Sequence, residues 1–502
     1  MSHIAIAAGS QLGAEAGAVV AELGGNAIDA AVASALVLMT SEPGVCAPGA
    51  GGFITARLAG QRPVTIDANV AMPGLGVDPD RFGVSTRSVT IGYGGGVTTT
   101  VGYESVGVPG GIAGLGAAWK AWGSAPWSVV VGPAADLAGT GAPLSAAARL
   151  YLEYSHDAIF GWHPISRAAL HDAKGNLLPT GANVLVPGLA DSLNALGAIG
   201  AGDMYHGALA QVLAEDLSQG GSLVTGADLS AYAPEQRPAV ECTFDNWTIY
   251  TNPPPSIGGV TLAAMLQLAA VDGNNAPSVR DLIASQHAIL SYRRDHLDTA
   301  EHLEPATQSL LDRLVDGNGT IWRSSPSTVH VSTVGDDGAA CAITMSAGYG
   351  SGVIAGTTGF WMNNSLGETE LNRRGFHGLS IGTRLPSNMA PTIAIHYDGA
   401  VLAIGSPGAD RITTALQQVL IRVARGESLQ DAVDAPRLHV ETHSTGSVVA
   451  YEMGLDMPSD VESRRFDEPH MFFGGVALAQ LDPSSGLAGA ADGRRTGGVV
   501  IT

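Results

Sequence analysis

Segments patterned as β-strands crowd the two ends of this chain, with a long helical stretch between them. That distribution limits the fold more than any single motif does. Near the start, the Gly-rich turn of CAPGAGGFITARLAG runs into one strand, and RPVTIDANVAMPG supplies a second that ends at Pro73. Residues 80–106 are rich in Gly, Thr and Val without helical spacing and read as strands and loops. From GVPGGIAGLGAAWKAWG to about residue 300 the pattern is mainly helical, including GDMYHGALAQVLAEDL, TGADLSAYAP and TNPPPSIGGVTLAAMLQLA. After the polar loop 317–327, strands are predicted at 329–334, 339–346, 392–397 and 400–405. The helix ADRITTALQQVLIRVARG follows, and the end of the chain returns to strands between GGVALAQLD and GGVVIT. A parallel doubly wound sheet would alternate strand and helix throughout, so a layered α/β sandwich fits better. The first residues read as a helix; Gly24 and Gly25 then make a turn, and Asn26 caps the core helix of GGNAIDAAVASALVLM. No internal repeat, heptad pattern or low-complexity tail is visible.

A chain of 502 residues that is 45% hydrophobic and 14% charged can bury a large core. With only 5% aromatics and 67 glycines, that core is built from Ala, Val, Leu and Ile with close backbone approaches. The net charge of −21 repels nucleic acid and anionic membrane surfaces, so neither is expected as a partner. Only Lys120 and Lys174 among the 25 basic residues are lysines, which disfavours Schiff-base chemistry. Cys46, Cys242 and Cys341 lie far apart and form neither a metal-ligand spacing nor a disulfide framework. The N-terminus lacks a basic segment followed by an apolar one, and the run AAVASALVLM is too short to span a bilayer, so the cytoplasm is the expected location. GAGGF has neither the spacing nor the Lys of a phosphate loop, and GYGGGV fits no dinucleotide fingerprint. No cofactor and no metal are expected.

One hydroxyl stands out. In SSPSTVHVSTVGDDG, Thr328 opens a strand directly behind a polar loop. The plain reading is a β-former that starts a strand. The chemical reading is a nucleophile whose base is its own α-amine, freed by cutting the chain between Ser327 and Thr328. An α-amine titrates at about 7.7–8.0, against about 10.4 for Lys, so a useful fraction is neutral near pH 7. The local sequence leaves both readings open.

The run from Thr328 to Leu438 resembles the small subunit of the γ-glutamyltransferases, through TVHVSTVGDDG, YGSGVIAGTTGFWMNN, RLPSNMAPTI, DGAVLAIGSPGADRI and DAPRLHVE. The N-terminal part is similar as well, through GGNAIDAAVASALVL, GAGGF, GVPGGIAGL, GGSLVTGADLSAY and PPPSIGGVTLAAML. The resemblance implies an α+β fold, the four-layer αββα sandwich of the N-terminal nucleophile hydrolases. It implies self-cleavage at Ser327–Thr328 into a large subunit, 1–327, and a small one, 328–502, which stay associated as one catalytic unit. Thr328 would attack an acyl carbonyl of a small-molecule substrate, and the backbone N–H groups of Gly408 and Ala409 would form the oxyanion hole. Ser346 takes the place of a second hydroxyl near the nucleophile, or is simply a polar strand end. His330, His439 and Arg411 read as structural.

The substrate clamp departs from the family pattern. Asn69, followed by Val70, stands where the family has an Arg for the γ-glutamyl α-carboxylate, so a guanidinium fork has become a neutral amide. Ser387-Asn388-Met389 replaces a Ser-Ser-Met segment, and a stretch containing Gly348 replaces an Asn. The family's two acids after the NN pair become Gly367 and Glu368 here, so only Glu368 could meet an α-ammonium. The short segment from Glu368 to Arg384 implies a more open pocket. Losing two charged hydrogen bonds would weaken glutamyl binding by ~3–6 kcal/mol. A divergent branch with this profile acts in pathways to 4-alkylproline antibiotics of the lincomycin, hormaomycin and pyrrolobenzodiazepine types. The expected activity is therefore cleavage of a carbon–carbon acyl bond in a dihydropyrrole intermediate. The alternatives are a γ-glutamyl hydrolase or transpeptidase acting on glutathione-like substrates, a cephalosporin-acylase-like amidase, and an unprocessed scaffold.

Overall fold

The computed structural model describes residues 3–82, 87–92, 96–269, 277–298, 300–313, 328–369, 371–372, 374–443 and 446–502. Two largely antiparallel sheets lie face to face. The seven-stranded sheet runs, in spatial order, Gly498–Ile501, Ile4–Ala8, Val329–Gly335, Ala340–Ser346, Gly51–Arg57, Val64–Ala68 and Glu235–Pro238. The six-stranded sheet runs Gly486–Ala491, Ala477–Asp482, Val401–Gly405, Thr392–His396, Trp247–Thr251 and Val240–Phe244.

The buried clusters map onto the layers. Between the sheets lie Ala5, Val334, Ala340, Ala342, Ile393, Val401, Ala403 and Ala479, mostly alanine, which lets the two backbones approach closely. On the outer face of the first sheet, helices Gln11–Glu22, Ala27–Ser41, Gly111–Trp122 and Trp127–Thr140 pack through Ile28, Leu36, Ile112 and Val130. On the outer face of the second, helices Ile257–Ala269 and Arg411–Ala424 pack through Leu262, Leu266, Leu416 and Val419. This is the four-layer αββα order.

Helix Ala27–Ser41 is buried along its whole length. Asn26 caps it as the sequence predicts: its side chain accepts from Ile28 and Asp29, and Asp29 accepts in return from the Asn26 N–H. At the other end Glu42, only 5% exposed, accepts a 2.6 Å hydrogen bond from the Ser145 hydroxyl. Burial pushes its carboxyl up to about 7, from an ordinary value near 4.5. The folded protein therefore keeps a proton between about pH 4.5 and 7 that the unfolded chain releases, and stability falls as pH rises through that window. Glu42→Gln, neutral at all pH and still an acceptor for Ser145, is expected to raise the thermal midpoint at pH 8 and leave it unchanged at pH 4. The gain is at most about 3 kcal/mol, and scanning calorimetry at the two pH values reads it.

Three sequence expectations need correction. Ile4–Ala8 is a strand, not part of a helix: it is buried on both faces between Val329–Gly335 and Gly498–Ile501, so it shows no polar alternation. The region up to residue 300 is interrupted by the strands Glu235–Pro238, Val240–Phe244 and Trp247–Thr251, the last two joined through Asp245 at φ 49°. The strand expected to reach Pro73 ends at Ala68.

Candidate active site

Strand order alone assembles one wall of the site. The adjacent antiparallel strands Val329–Gly335, Ala340–Ser346, Gly51–Arg57 and Val64–Ala68 begin, end, begin and end at the same edge of the sheet. Thr328 therefore enters that edge one step beyond the Val329–Met345 pair, opposite Ser346, while Asn69 emerges two strands beyond that of Ser346. Thr328 is 3% exposed. Ser327 lies outside the described residues.

The second sheet supplies the facing wall. Strand Val401–Gly405 leads through Ser406-Pro407-Gly408-Ala409-Asp410 into helix Arg411–Ala424. Ser406 Oγ donates to the Pro407 carbonyl and accepts from the Gly475 N–H, which fixes the start of this loop. Gly408 has φ 127°, and a Cβ there would lie 3.0 Å from Gly474 Cα, so glycine is required. Ala409 holds φ 53°, a left-handed conformation that costs a residue with a side chain roughly 1–2 kcal/mol. Neither the Gly408 nor the Ala409 N–H donates to any described residue. Two N–H groups without an acceptor among the described residues, at the positive end of a 14-residue helix, are suited to stabilising a developing oxyanion.

Asp410 anchors the far side of the loop. It pairs with Arg411 at 2.6 Å and lies 3.5 Å from His439 Nε2, all three being buried. Burial opposes the Asp410 charge, yet Arg411 and His439 hold its carboxyl well below the usual carboxylate range. Arg411 Nε donates to the Phe472 carbonyl, and His439 Nδ1 is hydrogen-bonded to Thr414.

His330, two residues after Thr328, lies between the sheets, hydrogen-bonded to Thr344 and Ser332 at 2.8 Å each. Burial drives it down to about 3, so the ring is neutral and is no general base near pH 7. A Cβ on Gly405 would lie 2.2 Å from this ring, so His330 seats the nucleophile strand against the strand leading to the Gly408–Ala409 loop. Its structural reading stands, with a specific task.

Thr328, Ser346, Asn69, Glu368, Ser387, Asn388 and Ala409 line one chamber of about 40 Å³ in the uncut chain, closed by Ser365, Leu371, Leu385, Pro386, Met389 and Ile412. Gly408 and Gly348 are not part of its lining. Gly348, at φ 64°, backs the wall, where any Cβ would meet Asn364 and Glu368. Asn69 donates from Nδ2 to the Leu385 carbonyl at 2.7 Å, and its own carbonyl accepts from the Tyr232 hydroxyl. The Ser387 carbonyl accepts from the Ile257 and Gly258 N–H groups, and a Cβ at Gly258 would lie 2.0 Å from the Asn388 carbonyl. That close approach explains the glycine of PPPSIGG. The apolar walls, Leu371, Leu385 and Ile412, carry no chemical signal in the sequence and were not expected. The open pocket expected from the short 368–384 segment is not found at Thr328: the chamber is tight, and open space lies on the other side of that segment. Among the described residues no cluster of His, Cys, Asp and Glu is placed to hold a metal, and no helix is long and apolar enough to cross a membrane.

Comparison with known proteins agrees with this architecture. A glutathione hydrolase proenzyme from Pseudomonas sp. (strain A14) is 27% identical over 98% of this chain and 92% of its own length. Among solved structures, the cephalosporin acylase from Bacillus halodurans superposes with a TM-score of 0.79 at 21% identity, covering 99% of this chain and 96% of its own. LmbA2991 superposes at 0.75 and 20% identity, covering 100% and 98%. At these identities the superpositions establish the fold. The family model for gamma-glutamyltranspeptidase matches residues 13–502. The chain belongs to that family, as one of its hydrolase/transferase enzymes.

Proposed function

We propose that the chain cuts itself between Ser327 and Thr328 and then hydrolyses a carbon–carbon acyl bond, with a dihydropyrrole carboxylate as the leaving fragment. In the cut protein the Thr328 α-amine takes the hydroxyl proton while Oγ adds to a ketone carbonyl. The alkoxide rests on the Gly408 and Ala409 N–H groups. Its collapse breaks the carbon–carbon bond, and the electron pair leaves as a conjugated carbanion that recovers the proton from the ammonium. Water, deprotonated by the same amine, then frees the acyl group as a carboxylic acid.

The observation that carries this reading is the chamber wall at Asn69. The side-chain amide there is engaged with Leu385, and among the described residues no guanidinium lines the chamber and the one charged lining residue is the acid Glu368. A γ-glutamyl α-carboxylate would find no cationic partner among these residues, whereas an uncharged acyl group would need none. The likeness to LmbA2991 supports the same branch. Glu368 favours a second reading: it could meet the α-ammonium of a γ-glutamyl group, which keeps glutathione-like substrates in view.

The experiment is a direct comparison of purified, processed protein on γ-glutamyl-p-nitroanilide and on an acylated dihydropyrrole carboxylate. The expected result is a kcat/KM for the dihydropyrrole higher by about two decades or more, in line with the lost clamp. Preferred turnover of the glutamyl anilide would defeat the carbon–carbon assignment and support the second reading.

A further inference from the structure

Leu371 and Pro386 line the Thr328 chamber on one side and a second cavity on the other. This vestibule holds about 330 Å³, within the range of roughly 300–1,000 Å³ usual for small-molecule sites. The chamber, at about 40 Å³, has room for only a few non-hydrogen atoms around a reacting carbonyl. Whatever is attached to that carbonyl must continue elsewhere, and the vestibule is the adjoining space.

Its walls combine apolar side chains, Leu297, Leu303, Leu371, Leu379 and Pro255, with charged ones, among them Arg384. That guanidinium is 8% exposed and lies 4.1 Å from the centre of the Tyr232 ring. Tyr232 in turn donates to the Asn69 carbonyl, so Arg384 is one side chain removed from the chamber wall. Arg384 donates through Nη2 to the Ala233 carbonyl, whereas Nε has no hydrogen-bond acceptor among the described residues. The nearest carboxylate oxygen, on Asp67, is 3.6 Å away. Asp67 also accepts from Arg237 at 3.1 Å and from the Asn69 N–H, and burial pulls its carboxyl above the ordinary range.

The other charges facing this space are better matched. Arg237 meets Asp67, Glu235 and Glu304, and Asp298 pairs with Arg293. Arg374 and Glu301 are exposed at the rim. Among the described residues Arg384 is therefore the buried, under-matched cation of this mixed apolar and charged vestibule, whose acids disfavour a ligand of several negative charges.

We infer that Arg384 receives a single carboxylate carried by the part of the substrate that extends past Leu371 and Pro386, and so is a specificity-determining residue for a compact, mono-anionic fragment. This rests on Thr328 being the acyl-accepting nucleophile. It moves carboxylate recognition away from the Asn69 position to a different residue in a different cavity.

The test compares the acylated dihydropyrrole carboxylate with its methyl ester on processed wild-type, Arg384→Gln and Arg384→Lys enzymes. Arg384→Gln is expected to lower kcat/KM for the free acid roughly 10- to 100-fold through KM, leave the ester within about twofold, and be partly rescued by Arg384→Lys. Equal losses on acid and ester, or no loss on the acid, would overturn the assignment. If wild type turns over neither compound, the carbon–carbon reading fails while this inference is still measured. Calorimetric binding of L-proline against prolinamide to processed protein then decides it, with acid-selective binding abolished by Arg384→Gln in support and equal binding against.

Discussion

Thr328→Ala is expected to run as one band of about 51 kDa on denaturing gels, and wild type as two, of ~33 and ~18 kDa by residue number. The proposed mechanism requires the same hydroxyl twice. It must first attack the carbonyl of its own preceding peptide link, and only the amine released by that event makes it a nucleophile toward substrate. Alanine removes both steps, and turnover is expected to fall by about six decades, to background. Thr328→Ser, which retains a hydroxyl, should still cut and retain measurable activity. Mass spectrometry of each preparation checks the site of scission. An active wild-type sample composed only of intact chain would refute the mechanism.

Asp410→Asn is expected to lower stability by about 3–5 kcal/mol, the usual result of leaving a buried charge without its partner. The substitution preserves shape but leaves the Arg411 guanidinium, 3% exposed, with no carboxylate at 2.6 Å. The loss does not stay local. Asp410 follows Ala409 directly and begins the turn into helix Arg411–Ala424, so a shift at Asp410 is expected to reach the left-handed backbone at Ala409. A hole displaced by a fraction of an ångström loses transition-state binding before substrate binding, so kcat should drop 10²–10³-fold or less with KM nearly unchanged. Because Asp410 is held ionised far below the usual range, its stabilising contribution is complete above about pH 4 and is lost only in strong acid. The wild-type rate profile between pH 5 and 9 should accordingly show no limb from this residue. Urea melts and steady-state kinetics on the processed variant measure both effects.

Candidate residues for chemistry and for binding were both legible in the sequence. Thr328, Ser346, Asn69, Ser387, Asn388 and Ala409 were all legible, and they converge in one chamber. Several sit in or beside a motif whose spacing follows from the backbone: a strand start, a strand end, a loop between a strand and a helix. The core helix capped by Asn26 was legible for the same reason, since cap and buried run are neighbours in the chain. Arg384 was not. It appeared only as the end of a short segment, because Tyr232 and Asp67, which give it meaning, lie more than 150 and 300 residues away. Ile4–Ala8 failed for a related reason: a strand paired on both sides with distant segments carries no periodicity of its own. The tightness of the chamber depends on how Leu371 and Ile412 fold over it, which no local pattern encodes.

Strand Val329–Gly335 is hydrogen-bonded on one side to Ile4–Ala8 and on the other to Ala340–Ser346. Scission before Thr328 would therefore place one neighbour in each polypeptide. Two separately made halves, mixed after folding, could not insert a missing central strand into an existing ladder. A split gene for this enzyme would need both products translated together, so that neither closes its sheet before the other arrives.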